Sequence, residues 1–266
     1  MTETVLSIEH VGVQFGGLVA ISDMNFDVGK GEIVSLIGPN GAGKTTAFNV
    51  MTGFLAPTKG AVKYGGRDLR GLKPHEIADL GLIRTFQRTS VFPNDTVFDN
   101  VLIGLHRQSK LGLLEAILRL PRARASELAV RERAAELVRL VGLDARAHEL
   151  AGSLSYGEQR LVGVALALAA QPKMLLMDEP VSGMNASETH TFVQLIRRIR
   201  DSGVTILLVE HDMPMVMSVS DRIVVLNYGR IIAEGPPEEI RTNPAVIEAY
   251  LGQSAKDVVK EVAAHA

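Results

Sequence analysis

The sequence predicts an α/β fold: a mixed, largely parallel sheet, with an antiparallel β-subdomain at the N-terminus and a helical subdomain inserted later. Three observations carry that reading. Apolar-rich runs at Ile33 to Ile37, Met174 to Met177 and Val204 to Val209 have the length and composition of strands buried in a covered sheet. A segment with helical spacing, Phe192, Leu195, Ile196 and Ile199, lies between the last two. Residues 5–28 instead alternate apolar and polar side chains in bursts broken by glycines, the mark of antiparallel strands.

The elements follow in order. Val5, Leu6, Ile8, then Val11, Val13, Phe15, then Met24, Phe26, Val28 build the N-terminal strands. Ile33 to Ile37 is the first buried strand. It runs into Gly38-Pro39-Asn40-Gly41-Ala42-Gly43-Lys44-Thr45-Thr46, a full G-x-x-x-x-G-K-[ST] loop, and a helix continues through Ala47 to Met51, with Gly53 and Pro57 as stop signals. Ala61 to Tyr64 reads as a strand with a turn at Gly65-Gly66, Pro74 opens a short helix, and Ile83 to Gln87 is a short strand ending in a polar amide. From about Thr96 to Leu150 the pattern is helical, with Leu137, Val138 and Val141 on one stripe and Glu127 placed to pair with Arg131. Residues 106–125 are basic and leucine-rich, suited either to a solvated helical subdomain or to a surface for a membrane or partner.

Leu154-Ser155-Tyr156-Gly157-Glu158-Gln159 then precedes a small-residue helix through Ala170. Met174 to Met177 ends in Asp178-Glu179-Pro180, Asn185 or Ser187 caps the next helix, Gly203 closes it, and Val204 to Val209 ends at Glu210-His211. Ile223 to Leu226 and Ile231 to Ala233 flank a hairpin turn at Asn227 to Arg230. The domain is therefore expected to cover residues 1–252 as one unit, with a helical subdomain at about 90–165 and a weakly ordered tail at 253–266.

Composition narrows the functional classes. A chain of 266 residues with 46% hydrophobic and 22% charged side chains can bury a large core. A net charge of −2 lacks the strongly basic balance of a nucleic-acid partner. With no cysteine there is no disulfide, thiolate site or cysteine nucleophile. The acidic N-terminus has no secretory pattern, and no apolar run approaches the roughly 18 residues of a membrane helix. A cytoplasmic protein is expected.

The chemistry is carried by spacing. The glycine-rich turn lets successive backbone N–H groups converge on a phosphate, Lys44 adds a point charge for the outer phosphates, and Thr45 offers a hydroxyl to Mg2+. Two carboxylates after a buried strand are expensive unless compensated; beside a bound triphosphate, Asp178 would hold Mg2+ and Glu179 would orient or deprotonate an attacking water. Gln87 and His211 each end a strand, where an open α/β sheet places its ligands. Alone, a glutamine at a strand end is usually a satisfied turn residue, and a histidine there usually makes a structural hydrogen bond. Phe15 is either core or a platform for a nucleotide base.

Taken together in this order, Gly38 to Thr46, Gln87, Leu154 to Gln159, Asp178-Glu179 and His211 resemble the ATP-binding subunits of ABC transporters over nearly the whole chain. The six residues Leu154 to Gln159 resemble the family's signature loop. That resemblance implies a P-loop NTPase core binding ATP and Mg2+, and a head-to-tail dimer in which Ser155, Gly157 and Glu158 meet the ATP held by the other subunit's Lys44. It implies adenine stacking on Phe15, magnesium sensing and contact with the membrane subunit at Gln87, and a switch role for His211. Arg84 to Gln87, the basic-leucine insertion after Gly104, Val209 to Met213 and Ala249 to Gly252 further resemble the ATPases of branched-chain amino acid importers. The implied protein is peripheral at the cytoplasmic face of the membrane. It powers uptake through permease subunits and, indirectly, a solute-binding protein. Urea or amide importers, a lipopolysaccharide-type exporter and a soluble non-transport ABC protein are the alternatives. Two departures stand out. Tyr156 replaces a more usual glycine, and Asn185 stands where most members carry an aspartate that couples the two sites.

Overall fold

The computed structural model describes residues 3–85, 91–106 and 121–251. The described strands form one ten-stranded sheet in the order β5-β4-β1-β2-β10-β9-β3-β8-β7-β6. Its antiparallel end comprises β1 (Thr4–Phe15), β2 (Leu18–Gly29), β4 (Lys59–Tyr64) and β5 (Arg67–Asp68), and its parallel end comprises β3 (Ile33–Ile37), β6 (Leu82–Arg84), β7 (Met174–Asp178) and β8 (Thr205–Val209). The hairpin β9 (Arg222–Asn227) and β10 (Arg230–Gly235) joins the two ends: β9 runs parallel to β3, and β10 touches β2 at Arg230 and Asp23. The strand predicted to reach Gln87 stops at Arg84, and Gln87 itself lies outside the described residues, as does the tail.

In the parallel strands the alternation of side chains divides each apolar run between two cores. Ile33, Ile37, Leu175, Met177, Ile206 and Leu208 face one core, and Val34, Leu36, Met174, Leu176, Leu207 and Val209 face the other. The first core is covered by α3 (Val97–His106), α4 (Pro121–Leu140), α5 (Tyr156–Ala169) and α6 (Ala186–Asp201), which supply Val101, Leu137, Val162 and Phe192. The second holds Phe48 and Met51 of α1 (Lys44–Met51) and Ile77 of α2 (Pro74–Asp79) together with Leu6, Ile8 and Phe26 of the antiparallel strands. The change of phase between Leu6-Ile8 and Val11-Val13 has a local cause. His10 adopts φ 48 in a β-bulge between Ile8 and Val11, so one extra residue restores the inward face.

An ion-pair network stitches the two ends of the sheet together. Arg222 of β9 bonds both carboxylate oxygens of Glu32 at 2.7 and 2.9 Å, the Asp27 carbonyl at 2.7 Å and the carboxylate of Glu234. Burial opposes ionisation of Glu32, yet Arg222 and the Gly29 N–H together hold its carboxyl below its ordinary value of 4.5. A carboxyl depressed in the fold adds stability above its unfolded pKa and loses it as pH falls through the folded value. Glu32→Gln is therefore expected to lower unfolding stability by about 1–3 kcal/mol at pH 7. The deficit should shrink below pH 4.5, checked by urea unfolding at both ends of that range.

Candidate nucleotide-binding site

The parallel register places the ends of β3, β7 and β8 side by side: Leu36 and Asp178 both pair with Val209. The loop Gly38 to Thr46, the pair Asp178-Glu179 and the pair Glu210-His211 leave the sheet at that edge. The first loop is shaped by its neighbours as much as by any ligand. At Gly38 an added Cβ would lie 1.9 Å from the Leu226 carbonyl, so β9 passes too close for any side chain. Gly43 caps α1 in a left-handed conformation (φ 108) with no side-chain acceptor, which leaves the first N–H groups of the helix aimed outward for an anion.

Lys44 donates to the carbonyls of Gly38 at 2.5 Å and Pro39 at 3.0 Å, folding back over its own loop. Burial draws its pKa down, and the nearby carboxylates of Glu179 and Asp178 push it back up. The loop opens on a cavity of about 330 Å3 bordered by Asn40 to Thr46, Glu179, the start of β2 and Tyr228. Phe15 ends β1 opposite Leu18 and is 49% exposed, so it is not core; exposed Leu18 and Val19, which follow it, line the cavity. That placement suits the face of a base.

Asp178 is 5% exposed, and its charge is met by Arg84, whose Nη2 lies 2.7 Å from the carboxylate. The same guanidinium donates to Asn49 Oδ1 at 2.8 Å and sits 5.5 Å over the Phe48 ring, tying β6, β7 and α1 together. Glu179 follows with φ 47, a left-handed conformation for a residue with a Cβ, its N–H donating to the Val209 carbonyl at 2.9 Å. His211 Nδ1 is 3.9 Å from the Glu179 carboxylate and equally far from Glu210. Buried Glu210 accepts from the N–H groups of Val181 at 2.9 Å and His211 at 3.1 Å, which joins the loop after Glu179 to the loop bearing His211; burial nonetheless pushes its carboxyl up.

The signature segment stands apart. Ser155 caps α5 in a reciprocal box: its Oγ accepts from the Glu158 N–H at 3.3 Å, and its N–H donates to the Glu158 carboxylate at 2.9 Å. Glu158 also pairs with Arg146 at 2.9 Å. At Gly157 a Cβ would lie 3.4 Å from the Glu188 carboxylate, where α6 begins. None of Ser155, Gly157 or Glu158 borders the cavity around Lys44, so one chain does not bring the two loops together. The candidates Thr45 and Asp178 are hard oxygen donors, the chemistry that Mg2+ selects. Among the described residues no group of three or more His, Asp or Glu side chains could hold a metal ion by itself.

The sequence reading passed over the roles of three residues. Arg84 ends a short strand beside Asp178, and a buried strand-end carboxylate asks for such a counter-charge. Arg160 interrupts a helix of small apolar residues. Glu210 follows a fully buried strand. Each is a charge in an apolar run, and that was the available signal.

Comparison with known proteins agrees with the geometry. The family model described as "ABC transporter" matches residues 21–182, and the one described as "Branched-chain amino acid ATP-binding cassette transporter" matches residues 230–256. The chain is 44% identical over 255 residues to the high-affinity branched-chain amino acid transport ATP-binding protein LivG of Escherichia coli (strain K12), covering 96% of this chain and 100% of that protein. It is 43% identical, with the same coverage, to BraF of Pseudomonas aeruginosa, which bears the same description. The ADP conformation of an ATP-binding cassette of an ABC transporter superposes with a TM-score of 0.82 at 32% identity, covering 94% of this chain and 100% of that one. A dimeric bacterial ABC transporter cassette matches at 0.73 and 25% identity, covering 87% and 98%. The chain belongs to the ATP-binding cassette family of ABC transporters.

Proposed function

We propose that this chain is the ATP-hydrolysing subunit of a branched-chain amino acid importer. The observation that carries the reading is the meeting of a phosphate-type loop with two strand-end carboxylates, close enough to act on Lys44, in a chain similar over 96% of its length to a branched-chain amino acid transport ATP-binding protein. The loop amides and the start of α1 would bind the phosphates of ATP, with Lys44 exchanging its bonds to Gly38 and Pro39 for phosphate oxygens. Phe15 would stack the adenine. Thr45 and Asp178, with Gln87, would hold Mg2+, which when bound supplies positive charge to the phosphate oxygens. Glu179 would take the proton of the attacking water, and His211 would contact the terminal phosphate.

The second half of the site comes from a second cassette. Ser155, Gly157 and Glu158 lie away from this chain's own cavity, which suits a head-to-tail dimer in which they close on the partner's ATP. Such closure favours the ATP-bound state by differential affinity and transmits force to permease subunits docked near Gln87 and the helical subdomain. Among the described residues no helix is long and apolar enough to cross a membrane. As the ATPase of a transporter, the protein would act peripherally, at the cytoplasmic face, on permeases supplied by a solute-binding protein.

Glu179→Gln is expected to lower ATP turnover by about a hundredfold to ten-thousandfold while leaving nucleotide affinity near wild type. Steady-state hydrolysis and fluorescent-nucleotide titration check this, and unchanged turnover removes the role of Glu179. Ser155→Arg is expected to abolish the ATP-dependent dimer on a sizing column; a dimer that still forms removes the composite site. Reconstituted with its permeases and binding protein, the chain is expected to support ATP-driven uptake of leucine in vesicles, with no comparable uptake of urea or amides.

A further inference from the structure

Arg160 is a buried cation with no part in the hydrolysis described above. It lies one turn after Tyr156 on α5, is 8% exposed, and makes two bonds in different directions. Its Nη2 donates to the Tyr156 hydroxyl at 2.9 Å, with the guanidinium carbon 4.9 Å from the centre of the Tyr156 ring. Its Nη1 donates to the main-chain carbonyl of Glu179 at 2.5 Å. One rigid guanidinium thus holds both the residue between Ser155 and Gly157 and the residue that follows β7.

The contact matters because the Glu179 backbone is strained. A non-glycine residue at φ 47 persists only where its surroundings hold it, and here the N–H is fixed by Val209 and the carbonyl by Arg160. The loop beyond leans on the same aromatic ring: a Cβ at Gly183, left-handed at φ +81, would lie 3.5 Å from the ring of Tyr156. Meanwhile Asn185 turns its side chain into its own helix, accepting from the N–H groups of Ser187 at 2.9 Å and Glu188 at 3.0 Å.

We propose that Arg160 is a positioning residue that couples the two nucleotide sites of the dimer. When the Ser155–Gly157 loop closes on the partner's ATP, Tyr156 moves with it, and Arg160 carries the displacement to the backbone of Glu179, which serves this chain's own ATP. The proposal rests on the composite-site reading above. A guanidinium shared in this way cannot follow one partner without straining or breaking its bond to the other, which would leave a buried charge poorly paired.

The test uses the full-length chain as wild type, Arg160→Met and Tyr156→Phe, with each change also placed in the Glu179→Gln background to score ATP-dependent dimerisation. All Glu179→Gln forms are expected to dimerise. Wild-type hydrolysis is expected to be cooperative in ATP, with a Hill coefficient above 1. Tyr156→Phe keeps the ring and the Arg160–Glu179 bond but removes the Arg160–Tyr156 bond, so the Hill coefficient should fall towards 1. Arg160→Met should lose cooperativity and also lower the maximal rate by about ten- to hundredfold at unchanged single-site ATP affinity. A purely structural role would lower the melting temperature and leave the Hill coefficient alone. Dimers with wild-type cooperativity in both variants overturn the coupling and leave the composite site standing. Failure of the Glu179→Gln parent to dimerise overturns the composite site and the coupling with it. Should Arg160→Met not fold, Tyr156→Phe decides, because that ring is half-exposed and kept.

Discussion

Charge at the buried carboxyl edge of the sheet is the constraint on which the rest of the structure depends. β7 is buried along all five residues and ends in Asp178, and an ion in that position loses several kcal/mol of solvation unless it is met by an opposite charge and hydrogen bonds. Arg84 meets it from the neighbouring strand and is itself held by Asn49 and Phe48 of α1. The helix that begins at Lys44 is thereby fastened to the strand that ends at Asp178. A compensation needed for folding also sets the spacing between the phosphate loop and the carboxylates.

The same problem is solved differently at each adjoining strand end. Glu210 is 1% exposed and has main-chain N–H groups for partners, so its solution ties together the loops that carry Val181 and His211. At Glu179 the side chain is left partly open to the cavity, and it is the carbonyl that is bound, by a buried arginine from α5. Polar groups that must be satisfied in low dielectric become mechanical connections between loops.

Much of this was legible beforehand because the signals are local. The loop Gly38 to Thr46 follows from a strand, a complete motif and a helix; the acidic pair follows from four apolar residues; the cap of α6 follows from Asn185, one of two candidates, at the head of a helical pattern. Arg84 and Arg160 were less legible. Arg84 meets Asp178 across 94 positions of sequence, and Arg160 reaches the Glu179 carbonyl across 19. Periodicity describes which face a residue shares with its neighbours, and it holds no information about which distant main-chain oxygen a long side chain will find.

The sequence alone determined the elements, the anion-binding loop and the acidic strand end, because hydrophobic period, glycine placement and motif spacing act over a few residues. It also carried the family resemblance through Leu154 to Gln159. Tertiary structure decided the pairings that compensate buried charge, the bulge at His10 that resets the inward face of β1, and the separation of Ser155 to Glu158 from the cavity around Lys44. Those depend on the order in which ten strands are laid side by side, and strand order is set by packing the whole chain around two cores.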